Sequence, residues 1–220
     1  MRAMISTLLF ELSGVLVDWD KTVSLLVKDL RSEAPAEFRR GLRKHLRGSV
    51  TELDADGRYC GLLADPARAW RLAMPGAAPA TVSTFARRSL ELLDITLYDE
   101  VPATLLSMRE QYSMGVISDL PAGKSIIVRT GIAHLFDALV SPPKTRAGLA
   151  RADIRRALRN LKAAPGETAY IGCNVGGLRE STNLGVTTIW VARKGGRVRT
   201  LKGLKHVASL EELPELLATL

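Results

Sequence analysis

The chain has 220 residues, of which 46% are hydrophobic and 25% are charged, and its formal net charge is +8. This composition is that of a folded globular protein, and it excludes an intrinsically disordered chain. No apolar run reaches the roughly 20 residues of a membrane-spanning helix. The apolar stretch near the N-terminus is interrupted by Glu11 and has no signal-peptide cleavage site, so we expect no contact with a membrane.

The cysteine content and the net charge limit which cellular compartment and which classes of partner are expected. The two cysteines, Cys60 and Cys173, are too few for a disulfide scaffold, and we expect both to be reduced thiols in a cytoplasmic protein. The excess of basic residues favours an anionic partner. These residues are spread along the chain without a nucleic-acid motif or interleaved aromatic residues, so nucleic acid is the least favoured partner class.

Residues 8–18, with the sequence LLFELSGVLVD, are predicted to form the first strand and to organise the fold. The run begins with apolar residues and ends in a tight turn at Gly14. This pattern is typical of a buried strand in a parallel sheet. The strand carries Glu11 near its end, and Ser13 follows in the turn.

The following segment, residues 19–95, is predicted to be mostly helical. Asp20 is the expected N-cap of a first helix, and Pro35 is placed to open a second one. Further helices are expected over about 50–63, 66–73 and 80–93. A long helical segment thus separates the first strand from the next.

Short apolar strands return in the rest of the chain. A helix at 101–108 leads into a strand that is followed by Ser118 and Asp119, and a later strand is followed by Cys173 and Asn174. The other predicted strands lie near 138–141 and 188–192, and a final amphipathic helix covers 209–217. Four polar side chains therefore come directly after two predicted strands.

These positions and the glycines around them resemble the motifs of the haloacid dehalogenase superfamily. The residues that match the frame of the first and fourth motifs are Gly14, Val15, Leu16, Asp18, Gly172 and Gly185. Ser118 matches the serine or threonine of the second motif, which hydrogen-bonds a phosphoryl oxygen in the family. It also fits an N-cap for a helix that begins near Ala122.

The resemblance implies an α/β fold with a Rossmann-like parallel sheet core, helices on both faces and an inserted α-helical cap domain. The core domain is expected over residues 1–18 and 96–220, and the cap domain over residues 19–95. Members of the family attack a phosphate with an aspartate carboxylate and form a covalent intermediate. A Mg²⁺ ion bridges the two groups, a second acid protonates the leaving group, and a lysine offsets the negative charge.

The chemically active positions of these motifs are changed in this chain. Glu11 stands in place of the nucleophilic aspartate, and Ser13 in place of the acid. Cys173 and Gly177 replace the two metal-binding aspartates. Mg²⁺ prefers hard oxygen ligands, and here it would find Glu11, a carbonyl, waters and at most Asp119. We therefore expect no metal site and no cofactor, with Mg²⁺ as the one alternative.

The lysine of the third motif is also missing from its expected place. Counting from Ser141 leads to Leu149, and Lys144 or Arg151 could reach the same place if the loop is remodelled. The candidate catalytic positions are Glu11, Ser13, Ser118 and Cys173, and the candidate ligand-binding residues are Ser118, Asp119, Asn174 and Lys144.

We expect a protein that lacks Mg²⁺-dependent phosphatase activity and acts through binding or scaffolding. The alternative is a divergent hydrolase that acts on a small phosphorylated or other anionic metabolite, with Cys173 as a candidate nucleophile. The competing interpretation of Cys173 is a small apolar filler. The expected partner is a small anionic ligand or a protein, and a homodimer is left open.

Overall fold

The computed structural model describes residues 4–51, 61–143, 149–193 and 204–220. Cys60, Lys144 and most of the predicted helix at 50–63 lie outside these residues. The strands are β1 (Thr7–Glu11), β2 (Ser113–Ile117), β3 (Ala138–Val140), β4 (Thr168–Gly172), β5 (Thr187–Val191) and β6 (Lys205–Val207). They form one sheet in the order β3-β2-β1-β4-β5-β6, and every neighbouring pair is parallel.

The helices are α1 (Trp19–Leu30), α2 (Leu42–Gly48), α3 (Pro66–Ala73), α4 (Pro79–Leu92), α5 (Val101–Met108), α6 (Gly123–Arg129), α7 (Arg151–Leu161), α8 (Val175–Asn183) and α9 (Leu213–Ala218). Short 3₁₀ turns cover Ala36–Phe38, Ser49–Thr51, Ala133–Leu135, Pro165–Glu167 and Leu210–Glu212. In the part of the chain that the structure describes, none of the helices has the length and apolar character needed to cross a membrane.

Both faces of the sheet are covered by helices, as the burial of β1 requires. All five residues of β1 are buried, and successive side chains point to opposite faces. Leu8 and Phe10 pack in a hydrophobic cluster that includes residues of α5, α6 and α9, whereas Leu9 packs in a second cluster with α7 and α8. The predicted α/β class with a Rossmann-like parallel sheet is therefore confirmed.

Helices α1 to α4 form a helical insertion between β1 and α5. Trp70 of α3 is fully buried and packs against Phe85 of α4, with ring centroids 5.0 Å apart. The helices predicted at 66–73 and 80–93 correspond to α3 and α4. The division of the chain into a core domain and a cap domain at the stated boundaries stays a prediction.

Two connecting passages, residues 12–18 and 94–100, join the helical insertion to the sheet. Val17 forms an antiparallel bridge with Leu97. The Asp18 amide donates to the Thr96 carbonyl at 2.9 Å, and a second backbone bond follows in which Tyr98 donates to Leu16 at 3.1 Å. The two passages therefore lie side by side at the edge of the insertion.

Two details of the predicted insertion are wrong. The N-cap of α1 is Asp18, not Asp20, because the Asp18 backbone is extended and its carboxylate accepts a hydrogen bond from the Lys21 amide at 3.0 Å. The helix that Pro35 was expected to open is split into a 3₁₀ turn and α2. Gly41, at φ 95°, separates them, and this left-handed conformation interrupts the helix.

The end of the chain also differs from the prediction. The predicted strand at 188–192 corresponds to β5, but it is not the last strand of the sheet, because β6 adds three residues at the edge. The predicted helix at 209–217 consists of a 3₁₀ turn followed by α9. A strand of three residues is too short to show the alternation by which strands are detected.

Candidate functional site

The candidate site lies at the carboxyl ends of β1 and β4, next to each other in the centre of the sheet. The sheet changes its winding direction between these two strands, since β2 and β3 lie on one side of β1 and β4 to β6 on the other. Ligands of open α/β sheets bind in the crevice at such a point. Glu11 ends β1, and Gly172 ends β4.

The carboxylate of Glu11 is turned toward the backbone that follows β4. Its Oε2 atom accepts hydrogen bonds from the amides of Cys173 and Asn174, at 2.8 and 3.0 Å. The Tyr170 hydroxyl donates to the same oxygen at 3.3 Å. Glu11 is only 1% exposed. One oxygen of the expected nucleophile is thus held by three donors inside the protein.

Burial dominates the ionisation of Glu11. Loss of solvent is the largest cause and the nearby charge of Asp119 the second, and the net effect of all its surroundings raises the pKa of this carboxyl to about 7. The hydrogen bonds from Asn174, Cys173 and Tyr170 act in the opposite direction, because they stabilise the ionised form. A group of this kind takes up a proton near neutral pH.

Ser13 and Asp119 face each other across the two loops. The Ser13 hydroxyl donates to Oδ1 of Asp119 at 2.5 Å, and the indole N–H of Trp19 donates to the Ser13 oxygen at 3.1 Å. Asp119 is buried, and its burial raises the pKa of the carboxyl, an effect that the Ser13 hydrogen bond opposes. The structure therefore brings Glu11, Ser13 and Asp119 into one buried polar cluster.

Ser118 is occupied by local hydrogen bonds. Its hydroxyl donates to the Leu120 carbonyl and accepts from the Leu120 amide, both at 2.9 Å. The expectation that Ser118 caps the next helix is wrong, because Ala122 is the N-cap residue of α6 and no side chain caps that helix. The role of Ser118 toward a phosphoryl oxygen stays a prediction.

Tyr170 occupies the space that a side chain at position 177 would need. A Cβ atom built on Gly177 would lie 2.3 Å from the Tyr170 hydroxyl oxygen, and one built on Gly172 would lie 2.3 Å from the Tyr170 ring. Both distances are too short for any Cβ atom. The sequence interpretation missed Tyr170, although the two glycines that follow it in the fourth motif were a signal for a bulky neighbour.

Cys173 is a partly buried free thiol that also lines a neighbouring pocket. Its Sγ atom lies 3.2 Å from the Ser13 carbonyl and donates to it. Burial raises the pKa of the thiol, and the nearby charges of Glu11 and Asp119 raise it further. A nucleophilic cysteine needs the thiolate form, so this environment does not favour the nucleophile hypothesis.

Asn174 and Arg151 are engaged elsewhere. Asn174 is the N-cap of α8, and its side-chain oxygen accepts from the Gly176 amide at 2.8 Å. Arg151 forms an ion pair with Glu180 at 2.8 Å on the outer surface of α7 and α8. Whether Arg151 or Lys144 takes the place of the missing lysine stays a prediction, since Lys144 lies outside the described residues.

The donor set at the site does not fit Mg²⁺. This ion requires hard oxygen ligands in nearly ideal octahedral geometry. Gly177 supplies no side-chain ligand, Cys173 is a soft ligand, and Oε2 of Glu11 already accepts three hydrogen bonds. Within residues 4–51, 61–143, 149–193 and 204–220, no group of three or more His, Cys, Asp or Glu side chains is placed to hold a metal ion.

A pocket of about 230 Å³ lies beside this cluster, between the helical insertion and the sheet. Its lining includes Trp19, Asp20, Arg47, Tyr98, Trp190 and Arg193. Arg47 of α2 forms an ion pair with Asp20 at 2.8 Å. Arg193 follows β5 and was not singled out from the sequence, where it is one of many basic residues. Both arginines line this pocket, which lies next to the candidate site.

Comparison with solved structures shows the same architecture over nearly the whole chain. A 2-haloacid dehalogenase from Pseudomonas syringae pv. Tomato DC3000 is 20% identical, with 98% of this chain and 99% of that chain covered and a TM-score of 0.62. A HAD phosphatase from Thermococcus onnurineus is 17% identical, with 97% and 98% covered and a TM-score of 0.63. An L-2-haloacid dehalogenase from Xanthobacter autotrophicus is 17% identical, with 98% and 99% covered and a TM-score of 0.68.

The chain therefore has the fold of the haloacid dehalogenase-like hydrolases, as the motif frame predicted. No protein-family model matches the sequence, and no curated protein sequence matches it at a significant level. The likeness to these structures is one of architecture.

The buried carboxyl of Glu11 makes stability depend on pH. Its pKa rises from an ordinary value of 4.5 to about 7 on folding, so its stabilising contribution is complete below about pH 4.5 and is lost as the pH rises through 7. We expect the wild-type chain to lose roughly 3 kcal/mol relative to Glu11→Gln over this range. Urea unfolding of both proteins at pH 5 and pH 8 measures the difference, and a pH-independent difference would contradict the assignment.

The contact between Tyr170 and Gly177 predicts a coupled stability effect. Gly177→Ala should destabilise the wild-type chain by about 1–3 kcal/mol, because the new methyl group overlaps the Tyr170 hydroxyl. The same substitution should cost less in a Tyr170→Phe background. Gly166→Ala is the matched control, since a Cβ atom there meets nothing within 4 Å. Equal costs of Gly177→Ala in both backgrounds would show that Tyr170 does not fill this space.

Proposed function

We propose that this chain is a haloacid dehalogenase-like protein without Mg²⁺-dependent phosphatase activity, and that it acts by binding. The observation that carries the proposal is the position of the Glu11 carboxylate. Two backbone amides and the Tyr170 hydroxyl hold it inside the protein. An attacking carboxylate has to present an oxygen to the phosphate, and Oε2 is withdrawn from that role.

The expected loss of reaction rate at Glu11 and at Ser13 supports the same conclusion. Glu11 is one methylene longer than aspartate, and a misplacement of about 1 Å can cost on the order of 100-fold in rate. The Ser13 hydroxyl does not titrate near neutral pH and so cannot act as a general acid, and general acid assistance is worth ~10²–10⁴-fold. These effects act on one reaction, so their combination leaves little of the rate that the family's mechanism provides.

The divergent hydrolase is the competing proposal, and the site gives it less support. Its candidate nucleophile, Cys173, has a pKa raised by burial, so the reactive thiolate is disfavoured. Asp119, the buried carboxyl close to the site, accepts a hydrogen bond from Ser13. A hydrolase would need a rearrangement of both groups before substrate could react.

Hydrolysis of para-nitrophenyl phosphate with added Mg²⁺ tests the main proposal. We expect the wild-type chain to release no more product than Glu11→Ala, because Oε2 of the carboxylate is held by three hydrogen bonds and the group is buried. The assay should include a panel of metabolite phosphates at several pH values. Turnover by the wild-type chain that disappears in Glu11→Ala would contradict the proposal and favour the hydrolase.

The pocket beside the site supports a small anionic ligand as the bound species. Arg47 and Arg193 contribute two cationic side chains to its lining, beside the carboxylates of Asp18 and Asp20. Trp19 and Trp190 contribute aromatic surfaces. The Nε atom of Arg193 is buried and has no hydrogen-bond partner among the described residues. A carboxylate or phosphate oxygen is the acceptor that suits such a donor.

Thermal unfolding with inorganic phosphate or acetate as the probe tests this ligand class. We expect the unfolding midpoint of the wild-type chain to rise with anion concentration and the rise to be lost in Arg47→Gln. Arg151→Gln is the matched control, because Arg151 also forms an ion pair at 2.8 Å but lies away from the pocket. The same response in wild type, Arg47→Gln and Arg151→Gln, or no response at all, would contradict the assignment.

A further inference from the structure

Arg193 lies across both connecting passages of the helical insertion. It follows β5 in the core, yet its Nη2 atom donates to the Val15 carbonyl of the first passage at 2.7 Å. Its Nη1 atom lies 2.5 Å from Oε1 of Glu100 in the second passage. Its guanidinium carbon lies 3.6 Å from the centroid of the Tyr98 ring. One side chain therefore contacts the chain where it leaves the sheet and where it returns.

The surroundings of this side chain make the contacts strong. The side chains of Arg193 and Glu100 are each only 13% exposed, so water and salt screen their attraction little. A planar guanidinium can bond a carbonyl and a carboxylate and stack on an aromatic ring at the same time, which an ammonium group cannot do. Removal of either partner leaves the other as a charge in a poorly solvated place.

The passages themselves are joined by a few backbone contacts. They share one bridge between Val17 and Leu97 and the hydrogen bonds of Asp18 with Thr96 and of Tyr98 with Leu16. The Tyr98 amide forms one of these hydrogen bonds, and the Tyr98 ring lies under the Arg193 guanidinium. Arg193 therefore contacts the second passage at the residue where it is bonded to the first.

We propose that Arg193 is a latch that holds the helical insertion in its position against the sheet. The latch consists of Arg193 with Val15, Tyr98 and Glu100. With the latch intact, the two passages and the helical insertion keep a fixed position relative to the sheet. Without the latch, the insertion rotates relative to the sheet about the two passages. Arg193 and Tyr98 also line the pocket, so the latch sets the position of Arg47 and the other insertion residues on the opposite wall. This proposal does not depend on the proposed function.

A distance measurement between the insertion and the core tests the latch. Spin labels placed by Arg71→Cys in α3 and Arg159→Cys in α7, both exposed positions, report the separation of the two parts. The background carries Cys60→Ser and Cys173→Ser in the full-length chain. We expect a narrow distance distribution with Arg193 present and a broader one with a shifted mean in Arg193→Gln, measured by pulsed electron spin resonance.

Three further variants separate a latch from a general effect on stability. Glu100→Gln should broaden the distance distribution in the same way as Arg193→Gln. Arg193→Lys should give a distribution of intermediate width. This conservative variant also provides a test if Arg193→Gln fails to fold. Arg151→Gln removes a surface ion pair of similar length and should leave the distribution unchanged. Hydrogen exchange at the Tyr98 amide should rise at least tenfold in Arg193→Gln while exchange in β4 stays the same. Distributions that match the wild type in both Arg193 variants would overturn the proposal.

Discussion

The hydrogen bonds between the Glu11 carboxylate and the backbone after β4 are the interaction on which the site depends. They join the ends of two adjacent central strands, and the donors are the amides of Cys173 and Asn174 at the start of α8. Such amides stabilise a negative charge, whereas burial opposes it. Burial is the larger effect, since the pKa of Glu11 is raised to about 7. The result is a carboxyl group that serves the structure and can exchange a proton near neutral pH.

The neighbouring substitutions are consistent with this one arrangement. Glycine at position 177 leaves room for the Tyr170 hydroxyl, and that hydroxyl is the third donor to Glu11. Ser13 donates to Asp119, which keeps a second buried carboxyl hydrogen-bonded. A side chain at position 177 would meet the Tyr170 hydroxyl, so glycine at 177 and tyrosine at 170 depend on each other. The chain has the fold of the haloacid dehalogenase-like hydrolases, and the residues at the positions that match the family's reactive groups form a packed polar cluster.

Most of the architecture could be predicted from the sequence, because apolar runs and breaker residues are local signals. The strand before Gly14 and the helices α3 and α4 were found in this way. The internal organisation of the site could not be predicted, because it depends on contacts between distant residues. Arg193 bonds to Val15 across 178 positions of the chain, and no local pattern marks it. The direction of the Tyr170 side chain is likewise set by packing against two glycines, and the ion pair that engages Arg151 is formed with another helix.

The most direct test of this account is a carbon-13 NMR titration of the Glu11 carboxyl carbon, assigned by comparison with Glu11→Gln. The account predicts an apparent pKa near the value of about 7 set by burial, and no change in the resonance when Mg²⁺ is added. A pKa close to the ordinary 4.5 together with a Mg²⁺-dependent shift would show that the carboxylate is solvated and binds the ion, and it would contradict the account.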